Sequence, residues 1–187
     1  MTTIRAAQQS DADRLLQIYD YYCQHTAISF EVETPSLEEF SARMDRIQRR
    51  YPYLVAEQEN QIAGYAYAAP FVGRAAYDWS CELTIYLDPC YRKQGLGRRL
   101  YETLERELLK MGVRNLYACI GVPEQEDEYL THNSADFHAH LGFQTVGVFH
   151  QCGCKFGRWY HMIWMEKLIG DHSENPPPVK KFEGLSS

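Results

Sequence analysis

The sequence predicts an α/β fold in a single domain, with a mixed central sheet flanked by helices. Strand-like and helix-like segments follow one another in the order βααβββαβαββ, which is typical of such a sheet. Near the middle of the chain a strand leads through a glycine turn into a long helix, and this crossover makes the next strand parallel to it. A length of 187 residues suits one domain with a substantial core. We place the domain at residues 1–170.

The first elements are a short edge strand at residues 4–6 and two helices. Each helix opens on a serine with an acidic residue three positions later, as in a capping box. The two pairs are Ser10 with Asp13 and Ser36 with Glu39. We expect the first helix to end near Cys23 and the second to reach about Arg50.

Three strand-like segments come next. Residues 53–57 and 62–69 are predicted to form a hairpin, and residues 71–78, which have no clear period, are predicted to be a loop. Apolar and polar residues then alternate over residues 79–87, which is typical of a half-buried strand. The alternation puts Glu82 on the more polar face of that strand.

The central helix has an apolar face built from leucines at four-residue spacing. These are Leu96, Leu100, Leu104 and Leu108. Gly112 marks the end of the helix, and residues 116–120 are predicted to be a buried strand. The acidic segment 121–133 is longer than most connections, so we regard it as a candidate functional loop.

The C-terminal part begins with a short helix through His140, followed by two strands at residues 144–154 and 158–167. Residues 171–187 are polar and contain three consecutive prolines. We therefore predict a flexible C-terminal tail over 171–187.

The composition argues against several classes of protein. A formal net charge of -6 is unlike a nucleic-acid-binding domain, which normally carries a basic excess. No apolar run approaches the ~20 residues that span a bilayer, and the first residues carry no signal-peptide core. We therefore expect a cytoplasmic protein without a membrane partner. The six cysteines are scattered through the chain, which favours free thiols over a disulfide framework.

A glycine loop rich in cations precedes the central helix. Gly95 and Gly97 let the backbone approach a ligand closely, and the helix that follows adds the positive end of its dipole. Four of the eight residues in 92–99 are basic, so the loop is predicted to bind a small polyanion. Leu100 stands where a dinucleotide-binding fingerprint needs a third glycine, and the G-K-[ST] of a P-loop is absent. The alternative is a tight turn with solvated arginines.

Residues 92–97 match the pattern Q/R-x-x-G-x-G/A and resemble the pyrophosphate loop of the GNAT superfamily of N-acetyltransferases. Over about residues 4–168 the chain resembles the phosphinothricin/methionine sulfone acetyltransferase group of that superfamily. The matching segments are residues 50–56, 63–67 and 74–79, Glu82, Tyr86, the glycine loop, His138 with residues 141–143, and residues 155–159.

The resemblance implies a fold, a co-substrate, an acceptor and a set of site residues. The fold is that of the GNAT domain, the co-substrate is acetyl-CoA, the acceptor is a small amino-acid-like amine, and the protein is a homodimer. The cofactor-binding residues that it implies are Ile85, Tyr86, Leu87, Lys93, Gln94, Gly95, Leu96, Gly97, Arg98 and Asn133. The implied acceptor-pocket residues are Phe30, Arg74 and Tyr77, and the implied catalytic residues are Glu82 and His138.

The chemistry of acetyl transfer supports Glu82 on separate grounds. An amine attacks a thioester only as the free base, so a carboxylate that accepts its proton, directly or through a water, assists the reaction. Glu82 lies three residues before Ile85, on the strand that leads into the glycine loop. The alternative is a surface glutamate paired with a neighbouring cation.

His138 assists proton transfer or orients the substrate, or else it is a helix-packing histidine.

Three departures from the group bear on the acceptor. Val72 and Glu31 stand where members that acetylate phosphinothricin carry basic residues, and fewer cations weaken the binding of an anionic acceptor. The acidic insertion from Glu124 to Glu128 shifts Asn133 relative to the asparagine of the family. A polyamine or a protein N-terminus is therefore an alternative acceptor.

Three other activities compete with this interpretation. His150, Cys152 and Cys154 alternate along one strand, but three neighbouring ligands make a poor tetrahedral set, and we predict no metal site. A non-catalytic acyl-CoA sensor of the same fold would not need Glu82. Covalent acyl-cysteine chemistry is not expected, because no cysteine has a sequence signature of activation by a nearby base.

Overall fold

The computed structural model describes residues 2–185 of the chain. The chain divides into two compact units that interleave along the sequence. The first unit comprises Met1–Ile18, Pro35–Leu116 and Leu168–Ser187, and the second comprises Tyr19–Thr34 and Tyr117–Lys167. No helix within residues 2–185 is long and apolar enough to cross a bilayer.

Across residues 2–185 the chain forms seven strands and four α-helices in the predicted order. The strands are β1 (Thr2–Ala6), β2 (Tyr53–Gln58), β3 (Gln61–Pro70), β4 (Ser80–Leu87), β5 (Asn115–Val122), β6 (Gln144–Lys155) and β7 (Arg158–Leu168). The helices are α1 (Ala12–His25), α2 (Leu37–Gln48), α3 (Leu96–Met111) and α4 (Asn133–His140). Three short 3-10 turns were not predicted, at Gln9–Asp11, Ala75–Tyr77 and Pro89–Tyr91.

The strands of the first unit lie in the order β1-β2-β3-β4, and each pairs antiparallel with its neighbour. Tyr53 and Tyr67 are register partners, and their rings stack with centroids 4.7 Å apart. Tyr65 continues the stack at 5.7 Å from Tyr53. Such aromatic cross-strand pairs add to the stability of a sheet and fix its register.

Helix α3 supplies much of the core of the first unit. All four of its regularly spaced leucines are at most 1% exposed, as the sequence predicts. The helix ends at Gly112, whose φ of 103° is left-handed and whose amide bonds to the carbonyls of Leu108 and Leu109. This is the glycine cap expected of a helix C-terminus.

The start of α1 differs from the prediction. The Asp11 carboxylate, and not Ser10 with Asp13, caps this region by accepting the Gln8 amide at 2.7 Å. Arg5 of β1 binds the same carboxylate through two hydrogen bonds of 2.7 and 2.9 Å. The sequence pattern missed this cap because Gln8 is the N-cap, and glutamine is not among the residue types that favour that position. At α2 the predicted cap is confirmed, since Ser36 accepts the Glu39 amide at 3.1 Å.

The strands of the second unit lie in the order β5-β7-β6. β6 and β7 form an antiparallel hairpin through a turn at Phe156 and Gly157, both with positive φ. The register of the hairpin shifts between Phe149 and Gly153, where Gln151 also takes a positive φ of 47°. Such a bulge interrupts the alternation of side chains along a strand.

Residues 171–185, the part of the C-terminus that the structure describes, contain no helix or strand, but they make contacts within the first unit. The amides of Lys180 and Phe182 donate to the carbonyls of Met111 and Arg50 at 2.8 and 3.0 Å. The Trp79 indole donates to the Pro177 carbonyl at 3.0 Å. The domain boundary at 170 and the flexibility of 171–187 concern folding and motion, and both stay predictions.

Candidate active site

The glycine loop of the first unit exposes unpaired backbone amides. Gly95 adopts a left-handed conformation, with φ of 77°, and is the N-cap of α3. The first bond of the helix runs from the Arg99 amide to the Gly95 carbonyl at 3.2 Å. Within residues 2–185 the preceding amides, those of Leu96, Gly97 and Arg98, have no backbone acceptor. They form the kind of helix N-terminus that binds phosphate.

The side chains around this N-terminus are mostly cationic. Arg92, Lys93 and Arg98 are exposed, and the first turn of α3 contains no acidic residue. Arg98 forms an ion pair with Glu102 of the same helix at 3.8 Å. Lys93, with a φ of 60°, adopts the left-handed backbone conformation that Gly95 also adopts. The arrangement suits a ligand with more than one negative charge.

The entry to the loop is held by a residue that sequence reasoning missed. The Asp88 carboxylate accepts the Cys90 amide at 2.8 Å and forms an ion pair with Arg14 of α1. Burial alone would raise the pKa of Asp88, but the hydrogen bonds from Arg14 and Cys90 outweigh it, and the pKa lies below its usual value. An aspartate directly before a proline is a turn signal that could have indicated this cap.

Glu82 lies on β4, opposite Ala69 of β3, and is half-buried. Within the described chain its carboxylate has no hydrogen bond and no ion pair, so the alternative of a glutamate paired with a cation is wrong. Burial raises the pKa of Glu82 above its usual value. Burial of Tyr101 on α3 is the main cause that raises the pKa of its hydroxyl, and the negative charge of Glu82 raises it further. The two side chains are therefore neighbours.

The end of β4 packs closely on β3. Tyr86 and Leu87 are the register partners of Tyr65 and Gly64, and a Cβ at position 64 would lie only 2.9 Å from the backbone carbonyl oxygen of Tyr86. Only glycine fits at that position. Ile85, Tyr86 and Leu87 are half-buried and form the part of β4 that connects Glu82 to the glycine loop. Their predicted backbone contacts with the cofactor stay a prediction.

Arg74 and Tyr77 lie in residues 71–78, which we call the acceptor loop. Both side chains are exposed, and the Tyr77 ring meets Phe71 edge-on at 5.9 Å. The Tyr77 amide donates to the Arg74 carbonyl at 2.9 Å, which closes a short 3-10 turn. The loop therefore presents a guanidinium and a phenol on the surface of the first unit, near the N-terminal end of β4.

In the second unit, Phe30 occupies a slot between two glycines. A Cβ on Gly153 would come within 2.3 Å of the Phe30 ring, and one on Gly121 within 3.2 Å. The Lys155 amine holds the same segment by donating to the Ser29 carbonyl at 2.7 Å. Burial lowers the pKa of Lys155. Phe30 is thus fixed by its neighbours although 37% of it is exposed.

His138, the other predicted catalytic residue, is only 3% exposed. Its Nδ1 lies 2.7 Å from the Ser134 carbonyl, and its ring meets Phe137 and Phe143 edge-on at 5.2 and 5.3 Å. Burial lowers the pKa of His138 to about 4, so the ring is neutral near pH 7. These features agree with the helix-packing alternative, and a part in proton transfer stays a prediction. Asn133, at the start of α4, is exposed.

The acidic loop of the second unit uses its charges within the protein. Asp127 accepts the amides of Tyr129 and Leu130 at 2.8 and 2.9 Å and the Tyr160 hydroxyl at 2.9 Å. Arg158 binds both Asp127 and Glu128, at 3.0 and 2.7 Å. The loop is therefore held as a structural turn, and these two carboxylates are not free to bind a ligand.

The strand with His150, Cys152 and Cys154 lacks the geometry of a metal site. The bulge at Gln151 breaks the alternation that would place the three side chains on one face. Within residues 2–185, no three His, Cys, Asp or Glu side chains are grouped to hold a metal ion. All six cysteines are free thiols; Cys23 and Cys81 are buried and the others exposed.

Comparisons with known proteins identify the family of the chain. Residues 4–164 match the acetyltransferase (GNAT) domain family. A phosphinothricin N-acetyltransferase of Streptomyces viridochromogenes is 34% identical over 164 residues, 88% of this chain and 86% of that protein. An L-methionine sulfoximine/L-methionine sulfone acetyltransferase of Salmonella typhimurium is 29% identical, over 91% of this chain and 96% of that protein.

A solved structure resembles the chain over nearly its full length. It is that of a phosphinothricin acetyltransferase from Sinorhizobium meliloti in complex with AcCoA. The TM-score is 0.85 at 30% identity, covering 97% of this chain and 98% of that one. This similarity confirms the predicted fold class. From the family match and these relatives, we conclude that the chain belongs to the GNAT family and is an N-acetyltransferase.

Proposed function

We propose that the protein transfers the acetyl group of acetyl-CoA to the primary amine of a small amino-acid-like substrate, by direct attack and without an acyl-enzyme. The observation that carries the proposal is the Glu82 carboxyl, half-buried and unpaired within the described chain, on the strand that leads into the glycine loop. A proton acceptor and an anion site thus lie on one continuous stretch of the first unit.

The glycine loop is the proposed site for the diphosphate of acetyl-CoA. The unpaired amides of Leu96, Gly97 and Arg98 and the dipole of α3 supply donors and positive potential. Lys93 and Arg98 add formal charges, and Gln94 is held by a 3.0 Å hydrogen bond from Gln58. Acetyl-CoA brings the activated thioester to this site, and the loop fixes the distance of the thioester from β4.

Glu82 is the proposed general base. The ammonium group of the acceptor loses a proton to the Glu82 carboxylate, directly or through a water, and the free amine forms the new bond to the acetyl carbon. The carbon–sulfur bond breaks, the attacking nitrogen loses its second proton as the amide forms, and the departing thiolate takes up this proton, directly or through a water. The raised pKa of Glu82 suits this task, because a stronger base takes a proton from an ammonium more readily.

The acceptor is proposed to bear a carboxylate beside its amine. Arg74 on the exposed acceptor loop is a guanidinium that can bind a carboxylate through two hydrogen bonds. The relatives named above are acetyltransferases for phosphinothricin and for methionine sulfoximine or sulfone. Val72 and Glu31, which replace basic residues of those that acetylate phosphinothricin, favour an acceptor with a single negative group over a dianionic one.

An amine panel tests the proposal. The purified protein is mixed with acetyl-CoA and phosphinothricin, methionine sulfone, aromatic amino acids, polyamines or an N-terminal peptide, and released thiol is measured. We expect turnover with the amino-acid-like amines, at the highest kcat/KM for those with a single carboxylate. Thiol release with only the polyamines or only the peptide would show that the acceptor is of that class and not amino-acid-like. No release with any amine would support the sensor alternative.

We also propose a homodimer in the cytoplasm. β6 stands last in the strand order of the second unit, and the exposed fractions of Val146, Val148 and Phe149 on it are 52%, 46% and 52%. An exposed apolar edge strand favours pairing with another chain. Six free thiols suit a reducing compartment. Light scattering coupled to gel filtration checks the dimer, and a Val148→Lys variant is expected to be monomeric.

A further inference from the structure

Residues 176–185, which we call the C-terminal strap, have an apolar residue at every third position. These residues are Pro176, Val179, Phe182 and Leu185. Each is half-buried, whereas the strap residues between them are exposed. Three residues per turn is the period of the polyproline II helix, whose backbone makes no internal hydrogen bonds. One face of the strap therefore packs on the protein, and its backbone is free to bond elsewhere.

Three hydrogen bonds join the strap to the first unit. One, from the Lys180 amide to Met111, ends at the C-terminus of α3. The other two reach the neighbourhood of the acceptor loop: Phe182 N donates to Arg50 O at 3.0 Å, and Trp79 Nε1 donates to Pro177 O at 3.0 Å. Trp79 is the residue that directly follows the acceptor loop.

The connection from Phe182 to Arg50 continues into the acceptor loop itself. The Arg50 guanidinium forms an ion pair with the Asp78 carboxylate at 3.1 Å, and Asp78 is the last residue of the acceptor loop. The Asp78 amide in turn closes the 3-10 turn by bonding to the Ala75 carbonyl at 3.1 Å. This turn carries Tyr77 and directly follows Arg74, so the strap reaches both proposed acceptor-binding side chains through short covalent and hydrogen-bonded steps.

We infer that the C-terminal strap is a positioning element for the amine acceptor, which it serves by fixing the acceptor loop through Trp79 and Arg50. The inference rests on the proposed function, which gives Arg74 and Tyr77 their role. Residues 72–77 of the loop are exposed, so the loop gains little order from burial. A strap that orders the loop beforehand lowers the entropy cost of binding the amine.

Kinetics of two variants test the strap. Trp79→Phe keeps the aromatic ring but loses the indole donor, while the Trp79 carbonyl still binds the amides of Arg114 and Asn115 at 2.8 and 3.1 Å. We expect it to raise the amine KM about fivefold, the effect of one lost hydrogen bond, with the acetyl-CoA KM unchanged. Deletion of residues 176–187 is expected to raise the amine KM at least tenfold.

Lys181→Ala is the matched control, because the Lys181 side chain is exposed and has no hydrogen bond or ion pair within residues 2–185, and the variant should leave both KM values unchanged. An unchanged amine KM in Trp79→Phe would overturn the inference. Equal increases of both KM values would also overturn it, because they would indicate a general loss of structure.

Hydrogen exchange tests the strap without relying on catalysis. In Trp79→Phe the hydrogen-bonded amides of Arg74, Tyr77 and Asp78 should exchange faster, and those of Leu104 and Leu108 in α3 should keep their protection. If the wild-type protein acetylated no amine, the proposed function would be wrong while this readout still applied. Unchanged exchange in the loop would overturn the strap inference whatever the activity.

Discussion

Glu82 and His138 were predicted as the two catalytic residues, and the structure gives them opposite surroundings. Glu82 is half-buried on a strand of the first unit and has no hydrogen bond or ion pair within the described chain. His138 lies on a helix of the second unit, 3% exposed, with Nδ1 bonded to a carbonyl and two aromatic rings against it. Burial favours the neutral form of both.

The difference shows which features separate a reactive group from a packed one. A general base needs a lone pair that the substrate can reach and a pKa near the working pH. Burial moves the pKa of Glu82 toward that range, whereas it moves the pKa of His138 to about 4, away from it. The same physical cause thus suits Glu82 to the proposed proton transfer and makes His138 a neutral part of the core.

The largest effect is expected from Glu82→Gln. Loss of the proton acceptor should lower kcat about 100-fold or more, because a positioned general base contributes roughly that much. The affinity for acetyl-CoA should stay the same, as measured by calorimetry. Glu38→Gln, an exposed acid in the first turn of α2, serves as the control. Equal losses of turnover and acetyl-CoA affinity in Glu82→Gln would contradict the proposed role.

The pH profile of kcat should identify which of the two residues titrates in catalysis. Glu82 works as the carboxylate, so kcat should fall about tenfold per pH unit below its raised pKa. His138→Phe should keep this acid limb, with kcat within about threefold of the wild type at its optimum. If His138→Phe removed the limb, the assignment of the two roles would be reversed.

The pH dependence of the free energy of unfolding should reveal the burial of His138. Its folded pKa of about 4 lies below the unfolded value of 6.5, so its stabilising contribution is present above pH 6.5 and is lost as the pH falls toward 4. The full shift corresponds to about 3 kcal/mol. Denaturant titrations from pH 7 to 4 should show this fall in the wild type and a smaller one in His138→Phe.

His140→Asn provides the matched control for that measurement. His140 lies on the same helix and makes the same kind of contact, Nδ1 to the Asp136 carbonyl at 2.6 Å, but it is exposed. Because its ring is exposed, its replacement should change the free energy of unfolding at pH 7 much less than His138→Phe does. A wild-type slope that persisted in His138→Phe would show that other groups cause it.

The smallest expected effect is on the stability of Glu82→Gln. A raised folded pKa means that the contribution of Glu82 to stability is fully present below its unfolded pKa and is lost as the pH rises through the folded one. The ionised carboxylate therefore costs stability near pH 7. The Tm of Glu82→Gln at pH 7.5 should equal or exceed that of the wild type, and a clearly lower Tm would indicate an undetected stabilising partner.

Local patterns predicted much of the fold. The leucines of α3, the glycine that ends it and the Ser36 cap follow from spacings of a few residues, and the structure confirms each. The cap before α1 was missed because Gln8, a residue type that does not favour the N-cap position, occupies it. The bulge at Gln151 was missed because a period of two residues was assumed throughout β6.

The sequence by itself determined the order of elements, the cationic and glycine-rich composition of the loop before α3, and the family, because these depend on residues that are neighbours along the chain. Only the tertiary structure decided that Glu82 lacks a partner within the described chain, that His138 is packed between aromatic rings and that residues 176–182 bond to Arg50 and Trp79. The burial of a side chain and the contacts of the strap depend on residues far apart in sequence, and the pKa of a side chain follows from its burial and its partners.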